Sequence, residues 1–222
     1  MLPTTVLGLV VLAVVLLGCG PARPPDAPSP PESAYPGVLL PSEDLVGPPG
    51  LGAAFVLRQR IRTVTEGREV AFGAVLQLHE GRLVVLGLGP GGRRGFVLSL
   101  DGDDLTFDSH LPEPLPFPPR FMLIDIQRTF FWGLGPQPDG WAEGERAGER
   151  LRERRVEGRV VERTFERLDG RPEGAIRITY EPGLGGAEVP ATIVLENGWF
   201  GYRLEMATVE HRRLDGAGVG AD

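Results

Sequence analysis

Asp108, Ser109 and His110 are the residue types of a nucleophilic triad, and they stand side by side. Attack by a hydroxyl needs a base within about 3 Å and an orienting acid behind that base. Consecutive residues point in different directions, so this run reads as a turn before a proline loop. His79 beside Glu80 at a hairpin, and His211 near the end of the last strand, read as surface residues. A metal site would require all three histidines to converge, and the chain has only five serines to serve as alternative nucleophiles. No glycine-rich phosphate loop, His-Glu-x-x-His, Gly-x-Ser-x-Gly or paired-cysteine pattern occurs. The expectation is a protein without catalysis, cofactor or metal.

Charge narrows the partners. The chain carries 23 cationic side chains, all arginine, against 30 acids, a net charge of −7. A nucleic-acid groove needs concentrated positive charge, so no nucleic-acid partner is expected. Arg58, Arg60 and Arg62 form a basic stripe on one strand face. Two readings stand: contact with an acidic partner or lipid phosphate, or a solvated outer face paired with acids on neighbouring strands.

Cys19 is the single cysteine of the chain. It follows twelve residues, Val6 to Leu17, drawn only from Val, Leu, Gly and Ala, the length of a signal-peptide core. A spanning helix needs roughly 20 apolar residues. The sequence Leu16-Leu17-Gly18-Cys19 resembles the bacterial lipobox, in which a small residue precedes the cysteine that is acylated. The alternative is an ordinary signal peptide, or an uncleaved anchor, with a chance cysteine. On the lipobox reading, residues 1–18 are a signal peptide and Cys19 is the lipidated first residue of the mature chain, so the membrane is a partner through its acyl chains. Gly20 stands where Asp would favour inner-membrane retention, which points to the outer membrane, periplasmic side.

From Pro21 to Pro49 there are ten prolines in 29 residues. Such a segment favours extended, partly stiff conformations, so residues 19–36 read as a linker. Residues 37–214 are long enough for one domain with a sizeable core, and 215–222 read as a disordered tail.

Within the domain, side chains alternate with a period of two. Ala53 to Thr65 places Phe55, Leu57 and Ile61 opposite the arginine stripe. Val70 to Leu78 alternates again, and Leu83 to Leu88 is apolar on both faces, as expected of a strand that is central or covered on both sides. Phe96 to Leu100 and Leu105 to Phe107 follow, with turns at Glu66-Gly67, Glu80-Gly81, Gly91-Gly92 and Asp101-Gly102. After a proline-rich loop, Phe121 to Trp132 has Leu123, Ile126 and Phe130 at helical spacing, with Asp125, Gln127, Arg128 and Thr129 off that stripe. Residues 142–155 read as a solvated charged crossing, because Gly144 and Gly148 disfavour a helix. Val156 to Leu168, Ala175 to Tyr180, Ala191 to Glu196 and Gly201 to Val209 supply four further strands. About nine strands and one helix thus predict a mainly β fold with a small α component, a curved antiparallel sheet or half-barrel whose apolar face is covered by the helix.

The residues Leu39-Leu40-Pro41-Ser42, the hairpin from Phe55 to Leu78, the run Gly95 to Gly102, and the closing Val194-Leu195-Glu196-Asn197 with Gly201-Tyr202-Arg203-Leu204 carry a resemblance. In this order they resemble a domain-of-unknown-function family of small Gram-negative lipoproteins. That family is similar in architecture to the lipoprotein carrier LolA and its receptor LolB. The resemblance implies a cavity for acyl chains, or an envelope protein as partner. Its wall would be Phe55, Leu57, Ile61, Phe72, Leu76, Phe96, Leu98, Ile178, Leu195, Tyr202 and Leu204, with Phe121, Phe130, Phe131 and Trp132 on the cover. Filled core is the competing reading for each of these residues. The implied function is binding or transfer of an acylated molecule, with a structural or assembly role in the envelope as the alternative.

Overall fold

Alternating apolar residues can bury one face of a sheet only if something covers it, and that requirement organises the computed structural model of this chain. It describes residues 39–45, 51–65, 67–111, 118–183 and 189–214. The leader, Cys19, the proline linker up to residue 38 and the tail from 215 lie outside the described residues.

Among the described residues, eleven strands form one antiparallel sheet: β1 (Phe55–Thr65), β2 (Arg68–His79), β3 (Arg82–Leu88), β4 (Arg94–Asp101), β5 (Asp104–Ser109), β6 (Gly140–Arg146), β7 (Glu149–Val156), β8 (Arg159–Arg167), β9 (Ala175–Glu181), β10 (Thr192–Asn197) and β11 (Tyr202–Arg213). Their spatial order is β5-β4-β3-β2-β1-β11-β10-β9-β8-β7-β6, so the sheet is unclosed, with β5 and β6 at its edges. Two meanders meet along one seam between the first and last strands.

Register aligns the apolar set into rows. Leu57, Leu76, Val85, Leu98 and Phe107 face one another across β1 to β5. On the other arm, Tyr202, Asn197, Ile176, Phe165, Leu151 and Gly144 are opposed across β11 to β6. The inner face so formed is the core, and over it lies α1 (Pro119–Ile126), continued by one π-helical turn, Gln127–Phe131. Proline at the first helical position suits this start, since its absent N–H would have no intrahelical partner.

Two glycines on the inner face leave room that other side chains fill. A Cβ at Gly87 would lie 2.1 Å from the Phe96 ring, which stacks directly over this strand, and one at Gly144 would lie 2.7 Å from Leu134. Both are packing glycines, retained for close approach and not for a turn.

The structure corrects the reading of residues 142–155. They are not a crossing but the hairpin β6–β7, which raises the expected strand count to eleven. In β7, Arg150, Arg152 and Arg154 alternate with Glu149, Leu151 and Glu153, and the second set is fully buried. The expected strand from Val156 is likewise divided, with a turn at Glu157-Gly158 before β8. Asp108 and Ser109 are the end of β5 and not a turn.

Candidate functional site under the helical cover

The cover meets the sheet through two chemically different surfaces. Phe121, Leu123, Ile124, Phe130 and Trp132 are buried in one cluster with Phe55, Leu57, Leu76, Phe96, Leu98, Ile178 and Leu195. Ile61, Phe131, Tyr202 and Leu204 pack against it half-buried, and Phe72 is half-buried on the same inner face. Phe131 stacks on Phe55 at 6.4 Å, and Trp132 meets Phe165 edge-on at 6.0 Å. The sequence-predicted residues are therefore brought onto one face. Phe55, Leu57, Leu98, Trp132 and Ile178 have no exposed surface at all.

The second surface is polar, and sequence reasoning placed it outside the core. Asp125, Gln127, Arg128 and Thr129 are buried, not solvated. Arg128 donates to Asp125 Oδ1 at 2.7 Å and, through two nitrogens, to the Glu149 oxygens at 2.6 and 3.1 Å. Its guanidinium also lies 4.9 Å from the Trp199 ring centre and 5.6 Å from that of Trp132. Burial opposes its charge, but Asp125 and Glu149 outweigh burial and raise its pKa. A planar fork clamped by two carboxylates and flanked by ring faces is a site for arginine and not lysine.

Beside it, Glu153 accepts from Arg163 Nε at 3.0 Å and from Arg155 at 2.7 Å. Arg163 then donates to the carbonyls of Arg128 and Thr129, and the Tyr180 hydroxyl donates to the Thr129 carbonyl at 2.8 Å. A π-helical turn leaves backbone carbonyls without regular partners, and β8 and β9 supply them here. Tyr202 donates its hydroxyl to Asp125 and receives a bond from Asn197 at 2.9 Å. Burial, and then the Asp125 charge, push the Tyr202 phenol well up from its ordinary pKa. The charged hairpin β6–β7, expected to stand apart from the cover, thus provides two of the carboxylates beneath it. Its signal was in the sequence as strict alternation of arginine with Glu149, Leu151 and Glu153.

A third hold comes from the segment before β1. Gln127 and Leu40 exchange two bonds, Leu40 N–H to Oε1 at 2.9 Å and Nε2–H to the Leu40 carbonyl at 2.8 Å. Ser42 exchanges another pair with Gly102 in the β4–β5 turn.

The remaining sequence candidates do not assemble. His110 contacts Arg94 and lies 3.4 Å from Asp108, all exposed, while Ser109 Oγ accepts from the Leu111 N–H. His79 is exposed beside Glu80, and His211 Nε2 lies 3.1 Å from the Leu51 carbonyl oxygen. Among the described residues no three His, Cys, Asp or Glu side chains gather at metal-binding distance. The arginine stripe is largely a paired outer face: Arg58 bonds Glu210, and Arg62 bonds both Glu69 and Glu205. Hydrogen bonding to Arg62 holds the carboxyls of Glu69 and Glu205 below their usual range.

The architecture defines a class, an open antiparallel sheet with one helical cover over its apolar face. Solved structures that it resembles include a LolA superfamily protein from Nitrosomonas europaea, 14% identical, covering 78% of this chain and 90% of that one with a TM-score of 0.45. Another is an outer membrane lipoprotein-sorting protein domain from Vibrio parahaemolyticus, 10% identical, covering 74% and 87% with the same score. No curated protein matches the sequence. The chain belongs to the family described as protein of unknown function DUF3261, whose profile matches residues 56–210.

Proposed function

We propose that this protein is a lipid-anchored component of the outer membrane that holds or passes an acylated molecule at the periplasmic face, between α1 and the inner face of the sheet. The observation that carries the reading is the cover. One short helical element lies over a broad apolar face spanning both arms, and its polar holds are concentrated at residues 125–129. The preceding turn of α1 touches the sheet through apolar contacts, which an acyl chain can replace in kind. Each buried CH₂ contributes roughly 0.8 kcal/mol, so a long chain can offset displacement of Phe121, Leu123 and Ile124. In this state those side chains occupy the space themselves. Cys19 would supply the anchor and the proline linker the reach.

The full burial of Phe55, Leu57 and Ile178 favours one second reading, a non-catalytic structural or assembly lipoprotein with a permanently filled core. Native mass spectrometry of protein isolated gently from its own envelope, with titration of a fluorescent fatty acid, separates the two. The carrier reading expects a reproducible bound lipid and saturable uptake. Protein that is uniformly empty and takes up no probe overturns it.

A further inference from the structure

The outer face of the β1–β4 arm is not the simple polar surface that a one-sided sheet presents. Arg58 faces Glu210 on β11, and Arg62 faces Glu205, so each has an acid by register. Arg60 faces Ala207 on one side and Gly73 on the other. Among the described residues it makes no ion pair, unlike the arginines on either side. The small neighbours leave an open depression of about 310 Å³, lined by Arg58, Arg60, Ala71, Gly73, Leu88 and Val209 among others. Leu88 is opposite Gly73 and lies in contact with the position a Gly73 side chain would take.

The adjoining row on the same face runs Arg58, Val75, Leu86, Val97. These three apolar side chains are half-buried, and Leu86 belongs, with Val84 and Leu88, to the second apolar face of β3. Arg58, bonded to Glu210, heads this apolar row, and Arg60 stands in the next row with Gly73 and then Leu88 beside it, so a cation without an acid among the described residues adjoins the apolar strip over a position that lacks a side chain.

We infer that this depression binds the anionic head of a single-chain amphiphile, the head on Arg60 over Gly73 and the chain along Leu88 and Leu86. Charge complementarity selects the head, because a neutral ligand leaves Arg60 as it was. The apolar strip selects an attached chain over a free anion. The size lies at the lower end of small-ligand sites, which suits a head and the first part of one chain. The site opens on the opposite face of the sheet from the proposed acyl cleft, with Phe72 common to the two linings, and its anion contact is with Arg60, which the cleft does not use.

Hexyl phosphate, inorganic phosphate and hexanol, titrated into the isotopically labelled full chain, test the assignment through the Arg60 Nε–H and Gly73 amide resonances. Hexyl phosphate is expected to shift both saturably, about tenfold more tightly than either fragment. Arg60→Gln and Gly73→Val should each weaken it by about tenfold, and Arg62→Gln by less than about twofold. A Cβ at Gly73 meets Leu88 at 3.4 Å, so valine fills the depression without a severe clash. Phe130→Ala, which disturbs the cover, should leave this binding unchanged whether or not the cleft takes up lipid. Equal binding of inorganic phosphate or hexanol, equal loss in Arg62→Gln, or indifference to both Arg60→Gln and Gly73→Val would each overturn the proposal.

Discussion

Removing the Arg128 guanidinium would leave the buried Asp125 and Glu149 without the cation that now bonds both. Arg128→Met should therefore destabilise the domain by about 3–5 kcal/mol in urea denaturation, the usual cost of stripping one partner from a buried ion pair. Loss of under about 1 kcal/mol, the range of exposed pairs, would show that water reaches the cluster. Tyr202 gives a second measurable effect, on the alkaline side. Its phenol is held neutral in the folded state, so its contribution is complete below the ordinary tyrosine value of 10.0 and declines as pH rises above it, where the unfolded chain ionises first. Stability should fall above that pH, and Tyr202→Phe should flatten the fall while lowering stability near neutrality. An alkaline slope identical in the variant would remove Tyr202 from the account. At this scale little was legible in advance. Aromatic and aliphatic members of the inner face could be named from alternation, but Asp125 and Arg128 are polar at helix positions that ordinarily face water. Only the carboxylates on β7 and the partners on β8 to β11 explain their burial, and those pairs are remote in sequence.

Gly87 and Trp132 test the packing of whole elements. Gly87→Ala should cost roughly 1–3 kcal/mol by forcing the Phe96 ring off β3, and Phe96→Leu in the same chain should recover part of the loss. Additive losses would mean that the ring and the glycine are not coupled. Trp132→Ala should cost about 3–5 kcal/mol, because the indole is wholly buried against Phe165 at the end of the cover. Thermal or denaturant unfolding checks both. The β1–β5 meander was readable because apolar residues and turn glycines keep a period of two from Phe55 to Phe107. The hairpin β6–β7 was not, since its inward positions include Glu149 and Glu153, which a hydrophobicity pattern scores as outward. Gly144 argued against a helix correctly, yet it marks a strand whose face is covered by Leu134. The helix was placed well, but its last turn is π-helical, and Arg163 and Tyr180 bond the carbonyls of Arg128 and Thr129 there.

For the molecule as a whole, the proposed function makes Cys19 the anchor. Cys19→Ser should leave the domain folded and move it from the membrane pellet to the soluble fraction, since on that reading the thiol carries the lipid and stable attachment requires more than one acyl chain. Retention of the variant in the pellet after a salt wash would point to an uncleaved leader or to a membrane-binding surface on the domain. The seam between β1 and β11 has a different consequence, for how the chain reaches this form. Every other ladder joins strands that are neighbours in sequence or, within each arm, adjacent hairpin partners. The seam joins residues remote in sequence, Arg58 and Glu210 for example being 152 positions apart. Loop-closure entropy favours local pairing first, so the two arms can assemble as separate wings and fasten late. Pulsed hydrogen exchange during refolding should then show seam amides of β1 and β11 protected last; early protection there would reverse the order. Until the final strand arrives, β1 is a bare edge eleven residues long, the kind of edge that recruits other chains. If the chain is exported as proposed, it emerges amino end first and carries that edge unsatisfied through nearly all of its passage, which makes the period before β11 appears the time of greatest exposure to aggregation.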